Sequence, residues 1–178
     1  MAAASPSASD PFATLGIEAR YEVDADEVER RYRELAKVLH PDRHAHEGAA
    51  ARRLSLGKAV GLNEAYRVVR DDVARAKALL ELRGRAVSES GRSQDPEFLM
   101  RVMELRESLG DARAARDQKK IASLTTEVQG LAAAARARIG KALDADADLT
   151  SAESALAELR YYRRFLDEVD LALDDAEG

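Results

Sequence analysis

Apolar side chains recur every three or four residues along most of this 178-residue chain. This spacing places them on one face of an α-helix. Ala, Leu, Arg and Glu dominate the composition, and together they favour helices over strands. A chain of this length forms one domain, or two small ones, with a modest core. We therefore predict an all-α fold.

The composition excludes several classes of site. The chain has no Cys, so it can form no disulfide, no thiolate metal site and no Cys-ligated iron–sulfur cluster, and it has no Cys nucleophile. This fits the reducing cytoplasm, where we expect the protein to reside. No apolar run is long enough to span a membrane. The net charge of -5 argues against bulk binding to nucleic acids or membranes.

A segment rich in Gly, Ser and polar residues separates two groups of helical patterns. Residues 84–95 (GRAVSESGRSQD) have the composition of a linker. We predict one domain over residues 10–83 and a second over residues 96–178. The second has three helical runs with short connections, which indicate an antiparallel bundle. Residues 1–9 lack the features of a secretory signal, and we predict a disordered tail there.

Start and stop signals predict the helix boundaries. In the first domain the predicted helices cover residues 10–15, 26–39, 49–70 and 73–83. In the second they cover residues 96–109 and 112–143, with Gly110 as a stop, and a last helix is capped by Thr150 or Ser151. The predicted inward face of the helix over residues 49–70 consists of Leu56, Ala59, Leu62, Asn63, Tyr66 and Val69. That of the last helix consists of Leu159, Tyr162, Leu166, Val169 and Leu173.

The triplet His40-Pro41-Asp42 interrupts the helical pattern. Proline disfavours the helical conformation of the residue before it, so the preceding helix must end here. Opposite its apolar stripe, that helix carries Arg30, Arg33 and Lys37. Two interpretations remain open. The triplet is a plain helix stop beside a solvated face whose cations pair with neighbouring glutamates, or the loop and the cationic stripe have a function beyond ending the helix.

The helix that begins at Pro96 has two apolar stripes. The first contains Phe98, Val102, Leu105 and Leu109 and is enough to face a bundle core. The second contains Leu99, Met100 and Met103, is centred about 140° away, and is bordered by Glu104 and Glu107. One helix of a three-helix bundle rarely buries both, and an exposed Leu/Met patch is typical of an adaptable protein-binding surface. The alternative is a deeper helix with both stripes in the core.

The motifs of enzymes are missing from the sequence. There is no Gly-rich phosphate loop, nucleophile elbow or paired metal-ligand motif, so we expect neither catalysis by this chain nor a cofactor. His40, Asp42, His44 and His46 all lie on one short loop, whereas zinc needs three or four ligands in a tetrahedral array. We predict no metal site. A nucleic-acid-binding module is a further alternative, but the basic helix lacks nearby stacking aromatics.

Several motifs resemble those of a known family. The pattern Tyr32-x-x-Leu35-Ala36-x-x-x-His40-Pro41-Asp42, followed by Leu62-Asn63-Glu64-Ala65-Tyr66, is similar to the J domain of co-chaperones that act on DnaK-type ATPases. Two further segments resemble the HscB type, the J-proteins of iron–sulfur cluster assembly. They are Glu97-Phe98-Leu99-Met100 with Glu104-Leu105-Arg106-Glu107, and Arg164-Phe165-Leu166-Asp167.

The resemblance implies a fold and two partners. The fold is an N-terminal J domain, an antiparallel helical hairpin with short flanking helices, joined to a C-terminal three-helix bundle. The J domain docks on a DnaK-type chaperone (HscA type) and stimulates its ATPase, through His40, Pro41 and Asp42 with Arg30, Arg33 and Lys37 as the steering face. The bundle binds the cluster scaffold (IscU type) through Leu99, Met100, Met103, Glu104, Glu107 and Phe165. A generic J-domain co-chaperone for a different client is the alternative, and we expect a monomer.

Phe165 is assigned by its motif match alone. It stands about 80° from the predicted inward stripe of the last helix. We therefore expect its ring to be partly exposed.

Overall fold

The computed structural model describes residues 10–39, 48–88 and 95–177, with side chains as far as residue 170. Throughout these ranges the regular structure is helical, with no strand. The all-α prediction is confirmed. Contacts divide the chain into two compact units, Met1–Arg85 and Ala86–Gly178. The predicted tail and half of the predicted linker, residues 89–94, lie outside the described residues.

The described part of the first unit contains four helices. They are α1 (Pro11–Leu15), α2 (Ala25–Val38), α3 (Ala49–Arg70) and α4 (Asp72–Leu82). The carboxylates of Asp10, Asp24 and Asp71 cap α1, α2 and α4 by accepting backbone N–H groups. Such a side chain satisfies amides that have no partner within the helix. The helix boundaries predicted for this unit are therefore confirmed to within two residues.

Helices α2 and α3 form an antiparallel hairpin. Tyr32 stacks on Tyr66 with ring centroids 4.2 Å apart, and its hydroxyl donates to Asn63 Oδ1 at 2.9 Å. At the other end of the hairpin, Ser55 Oγ donates to the Leu39 carbonyl at 2.9 Å. A later residue of α2 therefore contacts an earlier residue of α3, as an antiparallel arrangement requires.

The inward face of α3 differs from the predicted one. Leu62 and Val69 are buried as predicted, but Leu56 is 54% exposed and Asn63 is also exposed. The core face instead includes Ser55, seven residues before Leu62, because the Leu39 carbonyl of α2 satisfies its hydroxyl.

The second unit, as far as it is described, contains three α-helices, α5 (Pro96–Ala114), α6 (Gln118–Gly140) and α7 (Leu149–Glu177). Its buried core draws on all three and includes Leu105, Leu109, Ile121, Val128, Ile139, Leu156, Leu159 and Val169. The predicted stop at Gly110 is wrong, because α5 continues for one more turn. The turn falls at Arg116, which has a φ of 53°, and the carboxylate of Asp117 caps α6.

The connection between α6 and α7 also differs from the prediction. Helix α6 ends at Gly140 and continues as a π-helical segment, Lys141–Asp146. The N-cap of α7 is Asp148, two positions before Thr150 and three before Ser151, the predicted caps. Its carboxylate accepts the backbone N–H groups of Thr150 (3.1 Å) and Ser151 (3.0 Å), and the Ser151 hydroxyl at 2.6 Å. Ser151 therefore supports the cap rather than providing it.

One ion pair reaches into the core of the second unit. Glu158 on α7 is buried, and Arg138 on α6 donates to its carboxylate. Burial of a carboxylate is costly unless it is paired in this way. The pair therefore holds α6 and α7 in one relative position. Among the described residues, no helix is long and apolar enough to cross a membrane.

We predict a pH-dependent effect of removing the α7 cap. Hydrogen bonds from Ser151 hold the pKa of Asp148 below its usual value of about 3.9, so the cap stabilises the fold above that value and is lost as the pH falls through the lowered pKa. Asp148→Ala should lower the melting temperature at pH 7, and the difference from the unaltered chain should shrink near pH 3. Asp148→Asn retains an N-cap and is the control. Thermal unfolding followed by circular dichroism tests this, and an equal deficit at both pH values would contradict it.

Candidate functional site

The second apolar stripe of α5 faces solvent. Leu99 is 45% exposed, Met100 63% and Met103 71%, and all three are among the large apolar residues that the described surface exposes most. Leu105 and Leu109 of the first stripe are buried, while Phe98 and Val102 are half-buried. The prediction that α5 buries one stripe and exposes the other is confirmed.

The exposed stripe has the properties of a protein-binding surface. Free energy falls when a partner covers exposed Leu and Met side chains, because their apolar surface is removed from water. Methionine is unbranched and flexible, so two Met side chains can adjust to the shape of a partner. An exposed apolar patch rimmed by polar groups is typical of an interaction site.

Carboxylates border this stripe as predicted. Glu104 and Glu107 are both exposed. Arg101 lies 3.9 Å from Glu104 and 3.6 Å from Glu127 on α6, so it links this margin of α5 to the neighbouring helix. The margin can attract a cationic group next to an apolar contact.

Phe165 is not exposed, and the expectation of partial exposure is wrong. Its relative accessibility is 1%. It follows Tyr162 by three residues and precedes Val169 by four, and both are buried. Helical geometry places all three on one side of α7, so the core face of α7 is broader than the predicted stripe and contains Phe165.

Tyr161 is a surface-facing aromatic residue that the sequence analysis missed. Its ring meets Phe98 edge-on at 5.7 Å and lies 6.3 Å from the ring of Phe165. The guanidinium of Arg106 lies 5.7 Å from the ring centroid, and the hydroxyl donates to the Val102 carbonyl at 3.4 Å. Burial raises the pKa of Tyr161, against the opposing effect of Arg106. The available signal was its position four residues before Phe165, which places both on one side of α7.

The cations of α2 occupy an exposed face but are not isolated. Arg30 lies 3.6 Å from Glu27 and 3.1 Å from Glu34, and Arg33 pairs with Glu29. Lys37 is exposed near the end of the same helix. Exposed pairs contribute at most about 1 kcal/mol each, so a partner's carboxylates can replace the glutamates at little cost.

The triplet His40, Pro41 and Asp42 lies outside the described residues. The structure does describe the segment just before the triplet, where α2 ends at Val38 and Leu39 is the C-cap. The helix stop before Pro41 is therefore confirmed. His44 and His46 are also outside the described ranges, and within those ranges no group of three His, Asp or Glu side chains could hold a metal ion.

Comparisons with known proteins agree for both units. A family model described as the DnaJ domain matches residues 10–78, and one described as the HSCB C-terminal oligomerisation domain matches residues 94–170. A co-chaperone protein HscB homolog of Burkholderia multivorans is 36% identical over 167 residues, covering 93% of this chain and 95% of that protein. A homolog of Bordetella avium is 35% identical over 163 residues, covering 91% and 96%.

Solved structures show the same architecture. The chaperone HscB from Vibrio cholerae superposes with a TM-score of 0.82 at 28% identity, covering 93% of this chain and 98% of that one. Human co-chaperone HscB shares the fold, with a TM-score of 0.83 at 23% identity over 96% of this chain and 85% of that one. With a J domain followed by the HscB C-terminal helical domain, this chain belongs to the HscB family of co-chaperones.

Proposed function

We propose that this chain binds an iron–sulfur cluster scaffold of the IscU type and delivers it to a DnaK-type chaperone of the HscA type, whose ATPase it stimulates. The exposed Leu99, Met100 and Met103 stripe carries the proposal. A helix in a small bundle exposes three large apolar side chains at a cost in solubility, and binding of a partner explains why they are there. We propose that the chain acts in the cytoplasm and that it does so as a monomer.

The mechanism is delivery by proximity. The second unit holds the scaffold, and the J domain engages the chaperone. Because one molecule binds both, each partner raises the effective concentration of the other. The chain need not hydrolyse ATP itself, since the reaction belongs to the chaperone.

The chaperone-binding role of the first unit depends on charge and on the triplet. The cations Arg30, Arg33 and Lys37 lie together on one exposed face of α2, just before the triplet. A cationic face increases the rate of association with an acidic partner, and salt weakens this effect. His40, Pro41 and Asp42 then provide the contact that stimulates hydrolysis.

Removal of the exposed stripe should abolish scaffold binding. The combined substitution Leu99→Ala, Met100→Ala and Met103→Ala removes apolar area that only a partner covers, so we expect at least about a hundredfold weaker scaffold binding, with the helical circular dichroism unchanged. Isothermal titration with a cluster-free IscU-type scaffold measures this. Leu82→Ala, an exposed leucine on α4, is the control and should bind normally. Unchanged binding by the triple variant would contradict the assignment.

His40→Gln should abolish stimulation of the chaperone without affecting the scaffold site. The measurement is the steady-state ATPase rate of an HscA-type chaperone with the chain, with and without scaffold. We expect the variant to raise the rate by less than about a tenth of the unaltered effect, while its scaffold affinity and helical content stay the same. Full stimulation by the variant would refute the role of the triplet.

The same assay separates the two candidate clients. Synergy between the unaltered chain and the scaffold supports the cluster-assembly role. Stimulation by the chain alone, to which the scaffold adds nothing, would support a J-domain co-chaperone for a different client. If no DnaK-type chaperone responds, the proposed function is wrong in both forms.

A further inference from the structure

The exposed stripe continues onto α7 through one side chain. Arg106 follows Met103 by three residues, and side chains at this spacing are neighbours on a helix surface. It also lies within about 20° of Leu99 in helical angle. Its guanidinium lies over the Tyr161 ring, 5.7 Å from the ring centroid. The stripe, Arg106 and Tyr161 thus form a continuous surface that spans two helices.

We propose that Tyr161 and Arg106 are specificity-determining residues of the scaffold-binding surface, with Tyr161 providing the aromatic contact that Phe165 cannot. The inference rests on the proposed scaffold binding. Phe165 is 1% exposed and lies beneath the surface, whereas Tyr161 is half-buried at the seam of α5 and α7. Tyr and Arg are also among the side chains most enriched at positions that dominate binding free energy.

The charges around the stripe define what the partner must present. Arg106 lies on the α7 margin and Glu107 on the opposite one, with Met103 between them. The ion pair of Arg106 is weak, since the nearest carboxylate oxygen, on Glu168, is 3.6 Å away and both side chains are about half exposed. Arg106 can therefore exchange Glu168 for a carboxylate of the scaffold. The matching surface is an apolar patch with an acidic group on one side and a basic group on the other.

The packing of Tyr161 holds its side chain in a preorganised position. Phe98 and Phe165 support its ring from within the unit, and the hydroxyl donates to the Val102 carbonyl. A ring already fixed in this way loses little conformational freedom when a partner covers it.

Scaffold binding by single variants tests the proposal. With a cluster-free IscU-type scaffold in isothermal titration, we expect Tyr161→Ala to weaken binding about tenfold and Tyr161→Phe to retain it, since the ring makes the contact. Phe165→Leu should lower the melting temperature but keep affinity within about twofold, because a buried ring adds no area to an interface. In addition, the ring NMR signals of Tyr161 should shift when scaffold is added.

Charge reversal tests the other half of the surface. Arg106→Glu should weaken binding about tenfold, and less at high salt. Lys119→Glu makes the same charge change at an exposed position in the first turn of α6 and should have no effect.

The outcomes distinguish this inference from the proposed function. If the unaltered chain binds and the triple alanine variant does not, while Tyr161→Ala and Arg106→Glu bind normally, only the inference fails. A greater loss with Phe165→Leu than with Tyr161→Ala would also overturn it. Self-association that Tyr161→Ala abolishes, without a change in scaffold affinity, would assign the surface to a second copy of the chain. If the unaltered chain does not bind the scaffold, both proposals are wrong.

Discussion

Burial of one face of α5 is the constraint on which the second unit depends. Leu105, Leu109 and Ala112 are nearly inaccessible to solvent. Once this face is committed to the core, helical geometry alone turns Leu99, Met100 and Met103 outward. The exposed stripe therefore needs no loop and no rearrangement to form. It is held by the same packing that stabilises the bundle, which keeps its side chains in a fixed order along a rigid helix.

Much of this arrangement could be predicted from spacing, and the errors have physical causes. The two stripes of α5 were separable because their centres lie about 140° apart on one helix. On α7 the apolar residues are more numerous, and the sequence could not show that the core extends around the helix as far as Phe165. On α3, Ser55 points inward although it is polar, because its partner is the Leu39 carbonyl of another helix. A contact between distant segments leaves no mark in local periodicity.

The electrostatic character of α2 also needed the structure. From the sequence, the cations could either pair with glutamates of their own helix or stay available to a partner. The structure shows Arg30 and Arg33 in pairs that span three or four residues. Because such exposed pairs are weak, the two interpretations are compatible: the glutamates compensate the cations in the free protein, and an acidic partner can displace them. The pairing reduces the long-range electrostatic field of α2, because paired charges largely cancel at a distance.

Three aromatic residues lie on α7 up to residue 170: Tyr162 and Phe165 are buried, and Tyr161 is at the edge of the core. The chemistry of Phe165 and Tyr161 suits each to its position. Phenylalanine has no polar atom, so its ring is most stable where water is excluded. Tyrosine carries a hydroxyl that needs a partner when it is buried, and it therefore suits the boundary between a core and water. At the seam, the hydroxyl of Tyr161 has the Val102 carbonyl, while its ring rests on Phe98 and Phe165. Tyr161 and Phe165 are four residues apart and share one side of α7. On that side Phe165 lies in the core and Tyr161 at its edge, so the motif match selects the ring that is only 1% exposed.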